Sequence, residues 1–165
     1  MTDPKLCEAG IINVNFGKNV TLVQPVNLYG CSIGDDVFVG PFVEIQKSVT
    51  IGARTRVQSH TLICEMVNIG EDCFIGHGVM FTNDLFSRGG PARGDKNLWR
   101  PTQIGCRVSI GSNATLLPVI ICDDVVIGAG AVVTRDIAVP GTYAGNPARL
   151  LKGAIFPVVA SVTHD

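Results

Sequence analysis

Aliphatic or aromatic residues return at every sixth position through the middle of the chain, and this period limits the fold more than any other feature. The series consists of Ile33, Val39, Ile45, Ile51, Val57, Ile63, Ile69, Ile75 and Phe81. An α-helix repeats apolar residues every three or four positions and a half-buried strand every two, so neither explains a strict period of six. One short strand and one turn need six residues. Three such units per coil predict an all-β fold, a left-handed parallel β-helix of hexapeptide repeats with one long loop insertion.

The same register continues on both sides of this series. It includes Phe16, Leu22, Leu28, and later Ile104, Ile110, Leu116, Ile121, Ile127, Val133 and Val139. When these positions are assigned in turn to three faces, A, B and C, both five-residue steps and the long insertion follow a face C hexad. We therefore expect one domain over residues 1–165, with repeats at about 16–144, an inserted loop at about 83–101 and a short C-terminal tail at 145–165.

Residues at the same place in successive coils should form columns, because neighbouring strands lie about 4.8 Å apart. The column at the third hexad position of face B consists of Gln24, Pro41, Ser59, His77, Ser112 and Ala129. The matching column of face C consists of Gly30, Lys47, Glu65, Asn83, Pro118 and Arg135. The register thus predicts which polar side chains share a corner of the prism.

Charge and composition exclude several classes of function. Thirteen basic and 14 acidic side chains give a net charge of −1, so we expect no general attraction to nucleic acid or to a membrane surface. The segment Met1–Gly10 lacks the features of a signal peptide, and a cytoplasmic location is expected. The six cysteines lie far apart without a CxxC pair, which favours reduced packing residues and no metal site.

The inserted loop concentrates basic side chains. It carries Arg88, Arg93, Lys96, Arg100 and the single tryptophan, Trp99. We expect the basic groups to bind a diphosphate, and Trp99 to cover a ring or to hold the loop down. A solvated surface loop is the alternative. A binding role for this loop is favoured over a plain surface loop, because long loops without secondary structure in compact domains are usually functional or disordered.

Three features together resemble the hexapeptide-repeat acyltransferase superfamily: the repeats, the excursion after FTND (81–84), and the closing IGAGAVVTRDI…GNPAR (127–149). Within it, VMFTNDLFSR (79–88), the basic loop and IGSNATLLP (110–118) look most like N-acetyltransferases that acylate the 3-amino group of nucleotide-linked sugars. The resemblance implies a homotrimer, with acetyl-CoA bound in a cleft between two prisms. It also implies a nucleotide-sugar acceptor used in the synthesis of a surface polysaccharide.

The resemblance places the cofactor's pantetheine arm against small residues of successive coils. The matching positions are Gly111, Ser112, Gly128 and Ala129. Small side chains allow a ligand to approach the backbone, although every coil also needs small residues at its corners. The candidates for the CoA phosphates are Arg135, Arg149 and Lys152, each of which could equally be plain surface.

The expected catalytic residues do not include the histidine that is the usual general base. Related acetyltransferases of hydroxyl groups have a histidine after the position of Thr82, whereas this chain has Asn83 and Asp84. The sugar 3-amino acyltransferases share this departure, and an amine needs less activation than an alcohol once it is oriented and desolvated. We expect Asn83 to orient the acceptor, and Asp84 either to hold the loop or to accept a proton through water.

His77 offers a second candidate for the base, and His60 is a candidate for substrate binding. His77 lies one coil below Ser112 on the groove that the thioester should reach, and His60 lies near the same corner on the preceding coil. The alternative, that both are surface turn residues, is favoured. Arg88 completes the FTNxxxxR spacing of the resembled subgroup and should bind an anionic part of the substrate.

Three other functions stay open. The first is O-acetylation of a sugar, serine or antibiotic hydroxyl, which the missing histidine after Thr82 disfavours. The second is a γ-type carbonic anhydrase, which needs three converging histidines, whereas only His60 and His77 are near each other in the repeats. The third is a non-catalytic assembly module, which would need neither the basic loop nor the GNPAR ending.

Overall fold

The computed structural model of the chain describes residues 4–152, and its regular elements are almost all short strands. In chain order the strands are β1 (Ile11–Ile12), β2 (Asn15–Phe16), β3 (Thr21–Leu22), β4 (Asn27–Tyr29), β5 (Ser32–Ile33), β6 (Phe38–Val39), β7 (Glu44–Ile45), β8 (Thr50–Ile51), β9 (Arg56–Val57), β10 (Leu62–Ile63), β11 (Val67–Ile69), β12 (Phe74–Ile75), β13 (Met80–Phe81), β14 (Thr102–Ile104), β15 (Ser109–Ile110), β16 (Thr115–Leu116), β17 (Ile120–Ile121), β18 (Val125–Ile127), β19 (Val132–Val133), β20 (Gly141–Ala144) and β21 (Arg149–Leu150). A 3₁₀ turn at Lys96–Leu98 lies in the inserted loop. The expected tail beyond residue 152 lies outside the described residues.

The strands form three sheets, one for each face of a prism. Face A consists of β2, β5, β8, β11, β14 and β17; face B of β3, β6, β9, β12, β15, β18, β20 and β21; and face C of β1, β4, β7, β10, β13, β16 and β19. Pairing is parallel from coil to coil, as between Ile33 and Ile51, and only β21 is antiparallel, to β20, among the described strands. The predicted left-handed parallel β-helix and its three faces are confirmed.

The first residue of each hexad fills the axis. Several of these side chains are completely buried: Leu28, Val39, Ile45, Val57, Ile63, Ile75, Ile110 and Leu116. Phe16 is an exception, since it belongs to the first complete coil, where less of the chain covers the axis, and it is partly exposed. Burial of these stacked side chains stabilises the prism, because removing apolar surface from water is the main favourable term in folding.

The prediction that Val139 occupies the axis is wrong. Val139 is 59% exposed, whereas Ile137 is buried and pairs with Ile121 of face A. The chain therefore takes four residues, not six, from Val133 to the next axial side chain. This third shortened step again follows a face C hexad, so the corner between faces C and A absorbs it, as it absorbs the two five-residue steps and the insertion.

The corner between faces A and B carries charges of alternating sign on successive coils. Its left-handed turn residues include Asp36, Arg54, Asp72, Arg107 and Asp124. The Arg54 guanidinium lies 2.7 Å from the Asp72 carboxylate, and that of Arg107 lies 2.7 Å from Asp124. These hydrogen bonds lower the pKa of both aspartates. The pairs are exposed and add little stability singly, but a coil that slipped would face like charges.

Three of the six cysteines, Cys31, Cys64 and Cys73, are buried packing residues, whereas Cys7 is exposed. All six are free, and burial raises the pKa of Cys31 and Cys64 to about 11, so that their thiols stay protonated and unreactive. Within residues 4–152 no helix has the length and apolar character needed to cross a bilayer.

The contrast between Ile137 and Val139 gives a test of the corrected register. Ile137→Ala should lower the free energy of unfolding by about 2–5 kcal/mol, because it empties a buried site. Val139→Ala should change it by less than about 0.5 kcal/mol, because the side chain is exposed. Urea denaturation at one fixed protein concentration measures both. Equal losses in the two variants would contradict the corrected register.

Candidate functional site

The inserted loop leaves face C directly after β13 and is fixed at its base by Asp84. One carboxylate oxygen of Asp84 accepts the backbone N–H of Phe86 at 2.9 Å, and the other accepts that of Ala92 at 2.7 Å. The backbone of Asp84 also forms an antiparallel bridge with Trp99, and the N–H of Arg100 donates to the carbonyl of Asn83. Asp84 therefore closes the loop on itself, which is one of the two roles expected for it.

Glu65, on the coil below, anchors the loop to the prism. Its side chain is only 13% exposed and pairs with the ammonium groups of Lys96 from the loop and Lys47 from the preceding coil, the latter at 3.7 Å. The Asn83 amide donates to the Glu65 backbone carbonyl at 3.2 Å. The Lys96 ammonium lies 5.3 Å from the centre of the Trp99 ring, a cation–π contact. This contact joins two residues of the loop, one of which, Lys96, also pairs with Glu65.

The far end of the loop lines an open cavity of about 420 Å³. Its lining consists of Arg88, Gly89, Gly90, Pro91, Ala92, Arg93, Asp95 and Leu98. The Arg88 side chain is 73% exposed, and its guanidinium lies 4.0 Å from the carboxylate of Asp95. Arg88 and Arg93 give this cavity the positive charge expected for an anion site, although Asp95 offsets part of it. Arg100 is exposed and does not line the cavity.

The corner between faces B and C holds both histidines of the repeats. Nδ1 of His77 lies 2.8 Å from the hydroxyl of Ser59, one coil below in the predicted column. The His60 ring stacks on the Phe42 ring, with centroids 4.8 Å apart and planes 14° from parallel. His60 and His77 are both exposed. Each histidine is therefore held by a neighbour on the coil below and is open to solvent.

A groove of about 290 Å³ lies on face B above His77. It is lined by Phe74, Ser109, Ile110, Gly111, Val126, Ile127, Gly128 and Ala129. Three of the four residues expected at the cofactor therefore share one groove, whereas Ser112 is not part of its lining. The fold itself also requires a glycine at position 111, because a Cβ there would lie 2.4 Å from the backbone nitrogen of Ala129. Close stacking of the coils alone requires that glycine.

The expected site residues fall into two groups in a single chain. His60, His77 and Ser112 share the corner between faces B and C, and hydrogen bonds from the Asn113 N–H to His77 and from the Gly130 N–H to Ser112 connect their coils. Asn83, Asp84 and Arg88 lie at the corner between faces C and A. Arg135 follows β19 and Arg149 belongs to β21, so both lie in the last coils.

Sequence reasoning missed three residues that position the candidates. Ser59 and Glu65 belong to the two predicted columns. Their positions next to His77 and Asn83 in those columns could have identified them from the sequence. Phe42 belongs to the next column of the corner, directly below His60, which the register would also have predicted.

No three or more His, Cys, Asp or Glu side chains come together as a possible metal site in the part of the chain that the structure describes.

Comparison with known proteins agrees with this architecture. Residues 30–65 match the family described as bacterial transferase hexapeptide (six repeats), and residues 101–135 match the hexapeptide repeat of succinyl-transferase. The bifunctional protein GlmU of Ruegeria sp. (strain TM1040) is 36% identical over 110 residues, which are 66% of this chain and 22% of that protein. The chain thus spans about a fifth of the length of this curated relative.

Two solved structures have the same fold. AntD, an N-acyltransferase from Bacillus cereus solved in complex with dTDP and coenzyme A, superposes with a TM-score of 0.71 at 22% identity, over 87% of this chain and 83% of AntD. A perosamine N-acetyltransferase from Caulobacter crescentus, solved with CoA and GDP-perosamine, superposes with a TM-score of 0.62 at 20% identity, over 88% of this chain and 58% of that one.

The repeats and the prism define a hexapeptide-repeat β-helix protein. The chain belongs to the hexapeptide-repeat acyltransferase superfamily, as its sequence predicts.

The role of Asp84 in closing the loop can be tested by limited proteolysis. Asp84→Ala removes two charge-assisted hydrogen bonds, each worth about 1.5–3 kcal/mol, so trypsin should cut at the loop's arginines about tenfold faster or more. The Asp136 carboxylate also accepts a backbone N–H, that of Ile120, outside the loop. Asp136→Ala should therefore leave loop cleavage unchanged. Equal cleavage of Asp84→Ala and the unsubstituted protein would show that Asp84 does not hold the loop.

Proposed function

We propose that this protein transfers an acetyl group from acetyl-CoA to the amine of a nucleotide-linked amino sugar. The observation that carries the proposal is the groove on face B, which extends from the coil of His77 over the next two coils and is lined almost wholly by apolar and small residues. A pantetheine arm needs such a surface, with backbone groups within reach. AntD and the perosamine N-acetyltransferase share the fold, and both were solved in complex with coenzyme A.

In this proposal the donor occupies the upper coils and the acceptor the lower ones. The pantetheine lies against Gly111, Gly128 and Ala129, with Ser112 close to the thioester, and Arg135, Arg149 and Lys152 meet the phosphates of CoA. The acceptor's diphosphate meets Arg88 and Arg93 in the loop cavity, with Arg100 beside it. A cytoplasmic location follows, because acetyl-CoA and nucleotide sugars are made there.

The proposal requires a homotrimer, because the two groups of site residues lie at different corners of one prism. If the corner between faces B and C of one chain meets the loop corner of its neighbour, His77 and Ser112 face Asn83 and Arg88 across the interface. Each of the three clefts would then be shared by two chains. The free prism also exposes apolar side chains on its flat faces, among them Phe74, Met80 and Ile120.

The acceptor amine supplies much of its own reactivity in this account. Asp84 already accepts two backbone hydrogen bonds, so it is better suited to holding the loop than to taking a proton. Asn83 is held at the Glu65 carbonyl and can orient the amine or the sugar by its remaining hydrogen-bonding groups. An unprotonated amine that is oriented and desolvated attacks a thioester without a strong base.

One observation favours O-acetylation as the second candidate. Ser59 engages Nδ1 of His77, so Nε2 is the ring nitrogen left to meet a substrate. An imidazole fixed in this way is the base that a hydroxyl acceptor would require. His60 lies on the coil below and could contact the same acceptor.

The location of the cofactor is tested by filling the groove. Ala129→Trp should weaken acetyl-CoA binding by about tenfold or more, because the indole would occupy the space of the pantetheine. Ala138→Trp places the same bulk on an exposed residue of the last coils outside the groove and should leave binding unchanged. Calorimetry measures the affinity, and light scattering verifies that each variant keeps the trimer. Unaltered binding to Ala129→Trp would place the cofactor elsewhere.

The choice between self-activation and a protein base is tested by kinetics. If the amine activates itself, Asn83→Ala and His77→Ala should each lower kcat/KM by about 10- to 100-fold, and the pH profile should follow the amine of the substrate. A loss in His77→Ala beyond about four orders of magnitude, with acetyl-CoA binding preserved, would show that His77 is an essential base.

A further inference from the structure

Glu65 is the one acidic residue of its column, and it lies on the coil directly below the inserted loop. The third hexad position of face C holds, in chain order, Gly30, Lys47, Glu65, Asn83, Pro118 and Arg135. The other coils have no carboxylate at this place, so stacking of the coils does not require one. An acidic side chain at this position is therefore suited to contact with the loop.

Glu65 is held through both its backbone and its side chain. Its backbone N–H donates to the amide oxygen of Gln46 at 3.2 Å, and its carbonyl accepts the amide of Asn83 at 3.2 Å. Its side chain is only 13% exposed and pairs with Lys47 and Lys96. Exposed ion pairs contribute little because two mobile side chains must be ordered, whereas here the carboxylate is already ordered and mostly shielded from water. The pair with Lys96 can therefore hold the loop.

Lys96 connects this carboxylate to the 3₁₀ turn of the loop. The turn begins at Lys96 and is capped by Asp95, whose carboxylate accepts the backbone N–H of Asn97 at 3.1 Å. The N–H of Leu98 donates to the carbonyl of Asp95 at 3.1 Å. The hydrogen bond with Glu65 raises the pKa of Lys96, so its ammonium stays charged at neutral pH. Fixing Lys96 therefore fixes the whole turn.

The same turn forms part of the wall of the loop cavity. Asp95 and Leu98 line this cavity together with Arg88 and Arg93. The carboxylate of Asp95 lies 4.0 Å from the guanidinium of Arg88. A contiguous set of contacts thus joins Glu65 on the prism to a basic side chain of the cavity. Movement of the turn would change how Asp95 offsets the charge of Arg88, and with it the attraction for a diphosphate.

We propose that Glu65 is a positioning residue for the acceptor, because its ion pair with Lys96 fixes the turn that forms part of the diphosphate cavity. The inference rests on the proposed function, since it takes this cavity as the site of the acceptor's diphosphate. Glu65 touches neither substrate in this role. Without the ion pair, the acceptor must order the loop when it binds, which lowers its affinity and leaves the cofactor groove on face B unchanged.

Substitutions of similar shape test the ion pair. Glu65→Gln keeps both backbone hydrogen bonds but removes the charge, and Lys96→Met removes the ammonium from the loop. Each should speed trypsin cleavage after Arg88 and Arg93, followed by mass spectrometry, by about fivefold or more, because the loop opens more often. Each should also raise the Kd for UDP, measured by calorimetry, and the KM for the acceptor by about fivefold or more. The kcat and the Kd for acetyl-CoA should change by less than about twofold.

Lys47 supplies the matched control, because it pairs with the same carboxylate but belongs to the preceding coil and not to the loop. Lys47→Met should leave loop cleavage and UDP affinity unchanged, and Lys96→Arg should retain both because it keeps the charge. Glu65→Gln combined with Lys96→Met should have no larger effect than Glu65→Gln alone, because both substitutions break the same ion pair.

Unchanged loop cleavage in Glu65→Gln, or equal effects of Lys47→Met and Lys96→Met, would overturn the positioning role. Faster cleavage with unchanged UDP affinity and unchanged KM for the acceptor would overturn it as well, since the loop would then be held without consequence for the acceptor. All these results leave acetyl transfer by the unsubstituted protein standing. If that protein binds acetyl-CoA but neither binds UDP nor acetylates a nucleotide sugar, the proposed function fails together with the inference.

Discussion

Stacking of one aliphatic side chain per hexad along a common axis is the constraint on which the rest of the structure depends. Each coil must return its axial residues to the positions of the coil below, as Ile63 lies above Ile45. The surface residues then have no freedom to shift independently. A serine at one place in a coil is found below a histidine in the next, and an arginine below an aspartate, because the axis has already fixed their order. The site is thus a consequence of the core.

The corner between faces C and A is where this constraint is relaxed. Three shortened steps and the inserted loop all occur there, while the corner between faces A and B carries the regular ladder of charges. A ladder of alternating charge tolerates no change of coil length, because Arg54 and Arg107 must each meet carboxylates on the coil above. The insertion lies at the corner between faces C and A, and the loop brings its basic residues to the edge of the prism.

The sequence predicts the coil and its columns well because both depend only on spacing. The three faces, the column of Ser59 and His77, and the shared groove of Gly111, Gly128 and Ala129 follow directly from the register. Spacing does not predict the axial residue correctly at Val139. Both Val139 and Ile137 are aliphatic, and the length of the turn decides which of the two side chains is buried in the axis. It cannot predict that Asp84 accepts two loop N–H groups or that Phe42 stacks on His60. Those contacts depend on loop conformation and on side-chain rotamers, which no repeat specifies.

The reaction proposed for this protein is the transfer of an acetyl group from acetyl-CoA to the amine of a nucleotide-linked amino sugar. The most direct measurement incubates the purified protein with acetyl-CoA and matched nucleotide sugars that carry either an amine or a hydroxyl at the same carbon. Release of free CoA and the mass of the product are followed together. We expect the product to gain one acetyl group for each CoA released, and only with the amino sugars. Acetylation of the hydroxyl sugars in preference to the amino sugars, or no release of CoA with any of them, would contradict it.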